Sequence, residues 1–534
     1  MTEYNICDEK IWTATELQQI EPCDVRCVDC RNLFSSDSDA IKEHIKNSNH
    51  NQFYKYDPEK EKKQAEIKRT EAIFTENEQT ILLEKLNELK KQADKYNPKM
   101  FLAIKTGLSA IMQMKIDEKT YPIALFYAGQ ITNKEIIVNI LGNIPDSYYL
   151  DSFTSKSFVS HSARSSSQSL VDIDLLPKIC NKAMITSNVD AIFLGNKPTV
   201  NENISIIDTV LDGNGYESYS AVHGKRGYRG DYNFVWLGTI TEINSRIWSA
   251  QSGMNNKPYF FRLDGEQNLG ENNIEEMLES LNDDSNSLKV RYMEKAVIEL
   301  WNVLSDVFSE NKKIKWDHDR DDKETCKDII NFSILLTNLR PYLPTKNTNA
   351  SGSGGTHYNF DSPIQEDLEK SNKILYNLAR GHAIICGRSY ISNEDLEIII
   401  HIVISSLPSD RLRLFEVLLC NGGTVNTVQI EKHANVVKAT ALKEMEKLRL
   451  LGMVEDSKTN GKSKPVLAIQ LKNKYHWIFD DKFKQYWDNI SFIHNNDNSK
   501  LTNNNEIYYK DNLEKETMKE YNYNKIICNV YSKY

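Results

Sequence analysis

Strand and helix patterns alternate in the middle of the chain. Residues 121–128 form an almost continuous apolar run, which predicts a buried strand, and residues 135–141 have the apolar spacing of a helix start. Residues 129–134 lie between them as a turn. A strand, a turn and a helix in this order hold phosphate groups in P-loop proteins. The pattern therefore predicts a phosphate-type turn at this position.

A glycine-rich segment follows, bracketed by apolar runs at residues 206–211 and 234–237 that are predicted as strands. Its five glycines, between 213 and 230, adopt turn geometries that strain other residues. The segment also combines cations, which suit phosphates, with an aromatic ring, which suits stacked bases. The side chains concerned are Lys225, Arg226, Tyr228 and Arg229. The alternative interpretation is a solvated basic hairpin.

Helical spacing prevails on either side of this region. The densely charged segment 59–96 has leucines at three- and four-residue steps, which predicts an amphipathic helix or helix pair that packs one stripe on the next domain. Residues 290–308 and 325–339 are predicted as further helices. The composition of residues 346–363, rich in glycine, serine and asparagine, predicts a flexible linker.

The pattern from residue 411 onward predicts a winged-helix module. Helices are expected at 411–420, 426–434 and 436–455, followed by a two-stranded wing that ends at residue 471. The buried face of the third helix is assigned to Ala439, Leu442, Met445, Leu448 and Leu451. Phosphate contact, which releases counterions, is assigned to Lys438, Thr440, Lys443, Lys447 and Lys462. Winged helices also bind proteins, which is the alternative.

Composition narrows the class of protein. A chain of 534 residues is too long for one ordinary core, so several modules are expected. The net charge is −9, and nucleic-acid binding must therefore come from local basic patches. No apolar run approaches the roughly 20 residues of a membrane span, and the first residues lack a signal-peptide pattern. We expect a cytoplasmic protein with no membrane partner.

Paired cysteines and histidines near the start of the chain predict a zinc site. Cys27 and Cys30 are separated by two residues, and His44 and His50 by five, the spacing of a CCHH-type finger. Phe34 falls where such a finger places its small core, as does Ile41. A segment this short buries too little apolar surface to fold alone, so Zn²⁺ would supply most of its folding free energy. Cys23 is an alternative ligand. The helix of the finger has an acidic start, which is as consistent with contact to protein as with contact to nucleic acid.

Two stretches resemble known ATPases. The DGNG…HGKRGYRGDY…WLGTIT run, with KPYFFRL at 257–263, is similar to the core of archaeal and bacterial AAA+ proteins related to replicative and mobile-element helicases. Residues 368–407 resemble the helical lid of the minichromosome-maintenance-like group of AAA+ proteins. The resemblance implies an α/β/α core with a parallel sheet, in a multidomain α/β and α chain that also holds the zinc finger, the helical lid and the winged helix-turn-helix.

The same resemblance assigns candidate catalytic roles. A polar sensor at the end of the second apolar strand would be Thr239 or Thr241. Arg262 would serve a neighbouring subunit's site, which implies a homo-oligomer through the core. Arg340 would sense the nucleotide from the lid, although a cation is also favoured at a helix C-terminus by the helix dipole.

The nucleotide motifs depart from the family pattern. A phosphate loop needs G-x-x-x-x-G-K-[ST]. Gly129 and Lys134 are present, but the loop is one residue short, Asn133 replaces the second glycine, and a carboxylate at Glu135 replaces the hydroxyl that holds Mg²⁺. The expected acidic residue after strand 183–186 is displaced to Asp190. We therefore expect binding of ATP and Mg²⁺ to be weak or absent.

These observations together predict a zinc-containing DNA-binding protein on a degenerate AAA+-like scaffold, associated with replication, mobile elements or regulation; RNA is a possible second ligand. One alternative is an active DNA-stimulated ATPase or helicase, in which Lys134 holds phosphates and Asp190 serves Mg²⁺. Another is a regulator that acts through protein contacts. The predicted domains are a finger at 22–54, a charged connector at 55–97, the core at 98–264, the lid at 265–407 with a linker at 345–363, the winged helix at 408–480 and a polar, disordered tail at 481–534.

Overall fold

The computed structural model of the chain divides into two compact units, residues 1–75 and residues 76–534. The described residues are 11–17, 23–27, 33–35, 39–48, 51–55, 74–129, 131–162, 167–263, 285–308, 313–347, 358–360, 362–459 and 466–483. The predicted zinc ligands Cys30 and His50, the wing residue Lys462, and residues 484–534 of the predicted tail lie outside these ranges.

The first unit is a small antiparallel sheet with a helix. Its strand order is β1-β4-β2-β3, and every described pairing is antiparallel. The predicted core positions are confirmed, because Ile41 is buried in the apolar cluster and Phe34 packs against it. The elements are β1 (Ile11–Trp12), α1 (Ala14–Leu17), β2 (Asp24–Cys27), β3 (Leu33–Ser35), α2 (Asp39–Ser48) and β4 (Phe53–Lys55).

A five-stranded parallel sheet forms the centre of the second unit, so this part of the chain is a mixed α/β fold. The strand order is β11-β5-β10-β7-β6, and all four pairings are parallel. Every residue of β5 and β10 is buried, as expected for inner strands covered on both faces. The strands are β5 (Ile123–Ala128), β6 (Ser147–Leu150), β7 (Ala183–Thr186), β10 (Val235–Ile240) and β11 (Tyr259–Arg262).

The predicted strand at 206–211 is wrong, because its residues up to Val210 end a helix, α9 (Lys197–Val210). Asn196 caps the start of this helix, because its side chain accepts a hydrogen bond from the backbone N–H of Thr199 at 3.0 Å. Its buried residues recur at three- and four-residue steps and pack in the core of the sheet. The helices around this sheet are α3 (Glu76–Asp94), α4 (Pro98–Met112), α5 (Ile131–Gly142), α6 (Ser167–Ile173), α7 (Leu175–Ile179), α8 (Asp190–Phe193), α9 (Lys197–Val210) and α10 (Ser245–Ala250).

The charged connector is helical over α3, and its buried leucines confirm the predicted stripe. The segment predicted as a linker begins and ends in paired strands, since β12 (Thr345–Asn347) and β13 (Tyr358–Phe360) form an antiparallel pair. The predicted helix start before residue 396 is confirmed, and the Asp395 carboxylate accepts a hydrogen bond from the backbone N–H of Ser392 at 2.8 Å. The helices of this region are α11 (Ser285–Val307), α12 (Lys323–Leu339), α13 (Leu368–Ile385) and α14 (Leu396–Ser405).

The C-terminal segment contains three helices and a hairpin, as its pattern predicted. A short additional strand joins the hairpin, which gives the order β14-β16-β15. The elements are α15 (Ser409–Cys420), β14 (Thr424–Asn426), α16 (Thr427–His433), α17 (Lys438–Leu450), β15 (Val454–Thr459) and β16 (Val466–Leu471). None of the helices in the described part of the chain combines the length and the apolar character needed to cross a bilayer.

Candidate functional site

Four predicted site residues meet at the carboxyl edge of the parallel sheet. Gly129 follows β5 directly, Thr239 lies near the end of β10, and Asp190 comes shortly after β7. Lys134 reaches the same edge from α5. In open α/β sheets, ligands bind outside the carboxyl ends of the strands, where the strand order reverses. Here β5 lies between β10 and β11, so this edge is the place to test for a nucleotide site.

The turn at this edge is too short to form the predicted phosphate loop. Helix α5 begins at Ile131, only two residues after Gly129, and Lys134 therefore lies within the first helical turn. Its side chain is turned inward: the residue is 3% exposed, and Nζ donates a hydrogen bond to the carbonyl of Ile240 at 2.9 Å. The ammonium thus binds the end of β10, where a phosphate loop would direct it to the outer phosphates.

Asp190 is held by backbone and hydroxyl groups of the same edge. Its carboxylate accepts hydrogen bonds from the backbone N–H of Thr241, at 3.1 Å, and from the Thr241 hydroxyl. Its own N–H donates to the Asn188 side chain at 2.7 Å. The hydroxyl of Thr239, the other sensor candidate, donates to the carbonyl of Ser187. These side chains tie β7 to β10, so their shared role in the structure is to fix the strand ends.

Arg262 lies at the end of β11 and is engaged within its own chain. Its guanidinium donates to the carbonyls of Ser405 and Leu407, each at 2.9 Å, and to the Ser409 hydroxyl at 3.1 Å. These three groups mark the junction between α14 and α15. Within its own chain Arg262 therefore clamps this junction, and its role at a neighbouring subunit's site stays a prediction.

Arg340 is on the wrong edge of the sheet to sense a nucleotide. It is buried, its Nε donates to Glu366 at 2.8 Å, and a second guanidinium bond to the same carboxylate makes the pair bidentate. A further bond, at 3.3 Å, goes to the carbonyl of Pro258, which precedes β11. Because the strands are parallel, Pro258 lies at the amino edge, opposite Asp190 and Lys134. These contacts give Arg340 a structural role at that edge, and the nucleotide-sensing role stays a prediction.

The glycine-rich segment forms an antiparallel hairpin of β8 (Gly215–Ser220) and β9 (Gly224–Arg229). Strand β9 alternates in exposure, and its inward-facing Arg226 and Tyr228 bind the carboxylate of Asp174 at 2.9 and 2.8 Å. Asp174 is fully buried and also accepts the backbone N–H of Ser160 at 2.6 Å. Burial and the Asp174 charge raise the pKa of Tyr228. These two predicted nucleic-acid residues anchor the hairpin instead of facing a ligand.

The opposite face of β9 presents the remaining cations. The side chains of Lys225 and Arg229 are 66% and 77% exposed, and both pair with Glu217 on β8. The Lys225 ammonium lies 3.0 Å from that carboxylate. Tyr219, at the end of β8, is 80% exposed. Asp174, Glu217 and Tyr219 were missed because no local motif marks them; strand alternation within residues 215–229 is the signal that separates the two faces.

Two of the four predicted zinc ligands are described: Cys27 belongs to the core of the first unit, and His44 is half-buried beside it. Cys27 ends β2 and is buried beside Ile41 and Phe53. The ring of His44, on α2, lies 4.8 Å from that of Phe34 between centroids. A thiol and an imidazole on a hairpin and the following helix are residue types that suit Zn²⁺. Within the described residues alone, no three His, Cys, Asp or Glu side chains form a metal-type group.

The predicted phosphate contacts on α17 differ in exposure. Lys438 is exposed, whereas Lys447 forms ion pairs with Asp410 at 2.9 Å and Glu444 at 2.7 Å and is largely buried. Lys443 and Thr440 are half-buried. The buried face also differs from prediction at two positions, since Ala439 is exposed and Leu442 is half-buried, while Ala441 is buried. Lys447 is therefore a link between α17 and α15, which leaves Lys438 as the most accessible cation of this set.

Comparison with known proteins adds no family assignment: no family model matches the chain, and no curated protein matches its sequence.

Proposed function

We propose that this chain is a nucleic-acid-binding protein, with DNA as its first expected ligand, built on a degenerate AAA+-like core that has lost hydrolysis. The zinc finger and the winged-helix module complete this proposal, with Cys27, Cys30, His44 and His50 holding Zn²⁺ and the α17 surface adding a second contact. Zinc would supply folding free energy to the finger.

The division of the β8–β9 hairpin into an anchored and an exposed face is the observation that carries the proposal. Arg226 and Tyr228 fix the hairpin to Asp174, so its orientation is set before any ligand arrives. The exposed face then holds Lys225 and Arg229 with an exposed aromatic ring, Tyr219. A positive pair contacts phosphates, and a tyrosine ring stacks on unpaired bases. A hairpin held this way pays little ordering entropy on binding.

The geometry of the sheet edge argues against ATP hydrolysis. Phosphate transfer needs a loop around the phosphates, a lysine directed at them and a carboxylate for Mg²⁺. Here Lys134 is buried on the Ile240 carbonyl and Asp190 is engaged by Thr241. Both groups would have to exchange these partners before a nucleotide could use them.

A fluorescence-anisotropy titration tests the proposal. Labelled single-stranded DNA, duplex DNA and single-stranded RNA are titrated with the full chain over a salt series. We expect the Lys225→Ala/Arg229→Ala double variant to bind roughly five- to twentyfold more weakly, with the slope of log K against log salt smaller by about one to two. Both side chains are exposed, so the variant should fold normally.

The matched control is Lys156→Ala/Lys295→Ala. Both lysines are about as exposed as the hairpin pair, and each contacts one glutamate, Glu202 or Glu299. The control therefore removes the same charge from other surfaces and should leave affinity within about twofold. An equal loss of affinity in both double variants would mean that the hairpin contributes only nonspecific electrostatic attraction. Absence of binding to all three nucleic acids at low salt would overturn the proposal and favour a protein-binding regulator.

Hydrolysis is measured in the same preparations with Mg²⁺ and ATP, with and without DNA. We expect no turnover. Turnover that disappears in Lys134→Met would replace the proposal with an active ATPase.

A further inference from the structure

Cys386 belongs to a buried chain of polar groups at the end of α13. Its Sγ lies 3.8 Å from Nε2 of His382, one helical turn earlier. Nδ1 of the same ring lies 2.5 Å from Oδ1 of Asp395. Arg388 binds both carboxylate oxygens of Asp395, at 2.8 and 3.0 Å. No local sequence motif connects His382 and Cys386 with Asp395 and Arg388.

The hydrogen bonds decide how the ring is protonated. Asp395 also accepts the backbone N–H of Ser392 at 2.8 Å, and these donors keep its carboxylate ionised and lower its pKa against the effect of burial. An ionised carboxylate only accepts hydrogen bonds, so Nδ1 of His382 is the donor. Nε2 is then left facing the sulfur as the base for its proton. A nucleophile, a base and an acidic residue that orients the base are the arrangement that activates a thiol.

Burial and neighbouring charges shift the pKa of the Cys386 thiol in opposite directions. Burial raises the pKa of Cys386, and its place at a helix C-terminus acts in the same direction. The positive charge and hydrogen bond of His382, together with Arg388, outweigh burial and lower the pKa of Cys386 overall. Burial lowers the pKa of His382, but Cys386 and Asp395 raise it to about 9. Both shifts favour the state in which the proton resides on the imidazole.

Cys326, on α12, provides an internal comparison. It is more accessible than Cys386, but burial and the negative charges of Asp321, Asp322 and Asp395 raise its pKa to about 11. The negative charge of Asp395 thus raises the pKa of both cysteines directly. At Cys386 it also stabilises the imidazolium of His382, whose charge and hydrogen bond lower the pKa of the thiol.

We propose that Cys386 is a thiolate paired with the imidazolium of His382 and is a site of reversible oxidation by hydrogen peroxide. The sulfur attacks one peroxide oxygen, an S–O bond forms and the O–O bond breaks. Sulfur is oxidised to the sulfenic acid and peroxide is reduced; the leaving hydroxide takes the imidazolium proton and departs as water. The residue is only 9% exposed, which suits a reactant of a few atoms and not a bulky substrate. This inference does not depend on nucleic-acid binding.

Two site-resolved measurements on the full reduced chain test it. In the first, the protein is treated with hydrogen peroxide at pH 7, sulfenic acid is trapped with dimedone, and each cysteine peptide is quantified by mass spectrometry. We expect the Cys386 adduct to form at least about tenfold faster than the Cys326 adduct, and a thiol reductant added before the trap to remove it. Slower or equal reaction at Cys386 overturns the proposal.

In the second measurement, the rate of iodoacetamide alkylation is followed against pH in the unmodified protein, so that no variant has to fold. The charged and titratable groups around the cluster are His382, Arg388, Glu394, Asp395, Asp321, Asp322 and Cys326. The alkylation rate of Cys386 should reach half its plateau at a lower pH than that of an ordinary thiol. The rate of Cys326 should reach half its plateau at a higher pH. A Cys386 profile with its midpoint at or above that of an ordinary thiol overturns the proposal.

The His382→Gln variant then separates activation from accessibility. Glutamine keeps a hydrogen-bonding group near Asp395 but removes the base, so the Cys386 midpoint should rise at least to that of an ordinary thiol. Circular dichroism checks that the variant is folded. A folded variant with an unchanged midpoint overturns the assigned role of His382, and the two measurements above decide the proposal if the variant does not fold.

Discussion

The carboxyl edge of the parallel sheet and the β8–β9 hairpin both gather cations and carboxylates, but they use them differently. At the edge, Lys134 binds the Ile240 carbonyl and Asp190 binds Thr241, so the charges serve the strand ends. At the hairpin, alternate residues of β9 point to opposite faces. A two-residue period separates anchoring side chains from presented ones, whereas converging strand ends direct their polar groups toward one another.

The largest expected difference between the regions concerns their two central carboxylates. Asp174→Ala would leave the guanidinium of Arg226 buried without its partner, and we expect a loss of roughly 3 to 5 kcal/mol in the free energy of unfolding. Asp190→Ala removes bonds at a half-buried site, for which about 1 kcal/mol is expected. Urea denaturation of both variants measures the difference. Equal losses in the free energy of unfolding would contradict the distinction between the hairpin, anchored by a buried ion pair, and the sheet edge, held by hydrogen bonds.

A smaller effect is expected at Lys134. Lys134→Met keeps the aliphatic stem but leaves the Ile240 carbonyl without its side-chain donor, which should lower the free energy of unfolding by about 1 to 3 kcal/mol. Nucleic-acid affinity should stay unchanged in the folded variant, because the sheet edge does not contact the ligand in our proposal. Denaturation and anisotropy are read on the same sample. Loss of affinity without loss of stability would place a ligand at the sheet edge after all.

The contrast also explains what could be predicted from the sequence. Strands at 123–128, 183–186 and 235–240 were predictable because inner parallel strands are continuous apolar runs. The run at 206–211 has the same appearance, yet it ends a helix whose buried residues recur from Val200 onward at helical spacing. A short apolar run does not by itself distinguish these two environments.

The sequence also could not predict which carboxylate each basic residue pairs with. Arg226 and Lys225 are adjacent and both basic, but one binds Asp174, 52 residues away, and the other binds Glu217 across the hairpin. Arg340 likewise finds Glu366 through the fold. Charge identifies candidates for a site, while the tertiary environment decides which of them are already engaged.

The smallest predicted effect tests the exposed face directly. Glu217 holds Lys225 and Arg229 in place, yet its negative charge opposes a phosphate backbone. Glu217→Gln preserves the shape of the side chain and removes that charge, so we expect nucleic acid to bind roughly two- to fivefold more tightly, with a steeper salt dependence. The control is Glu202→Gln, which frees the similarly exposed Lys156 and should leave affinity unchanged.

Weaker binding in Glu217→Gln would carry a different message. It would mean that the carboxylate orients the two cations, so that their spacing matters more than the net charge of the face. The hairpin would then resemble the sheet edge, where ion pairs and hydrogen bonds fix geometry, and the comparison between the two regions would reduce to exposure alone. Because the substitution changes charge without changing volume, and the carboxylate lies near the surface, the result separates these two explanations independently of folding.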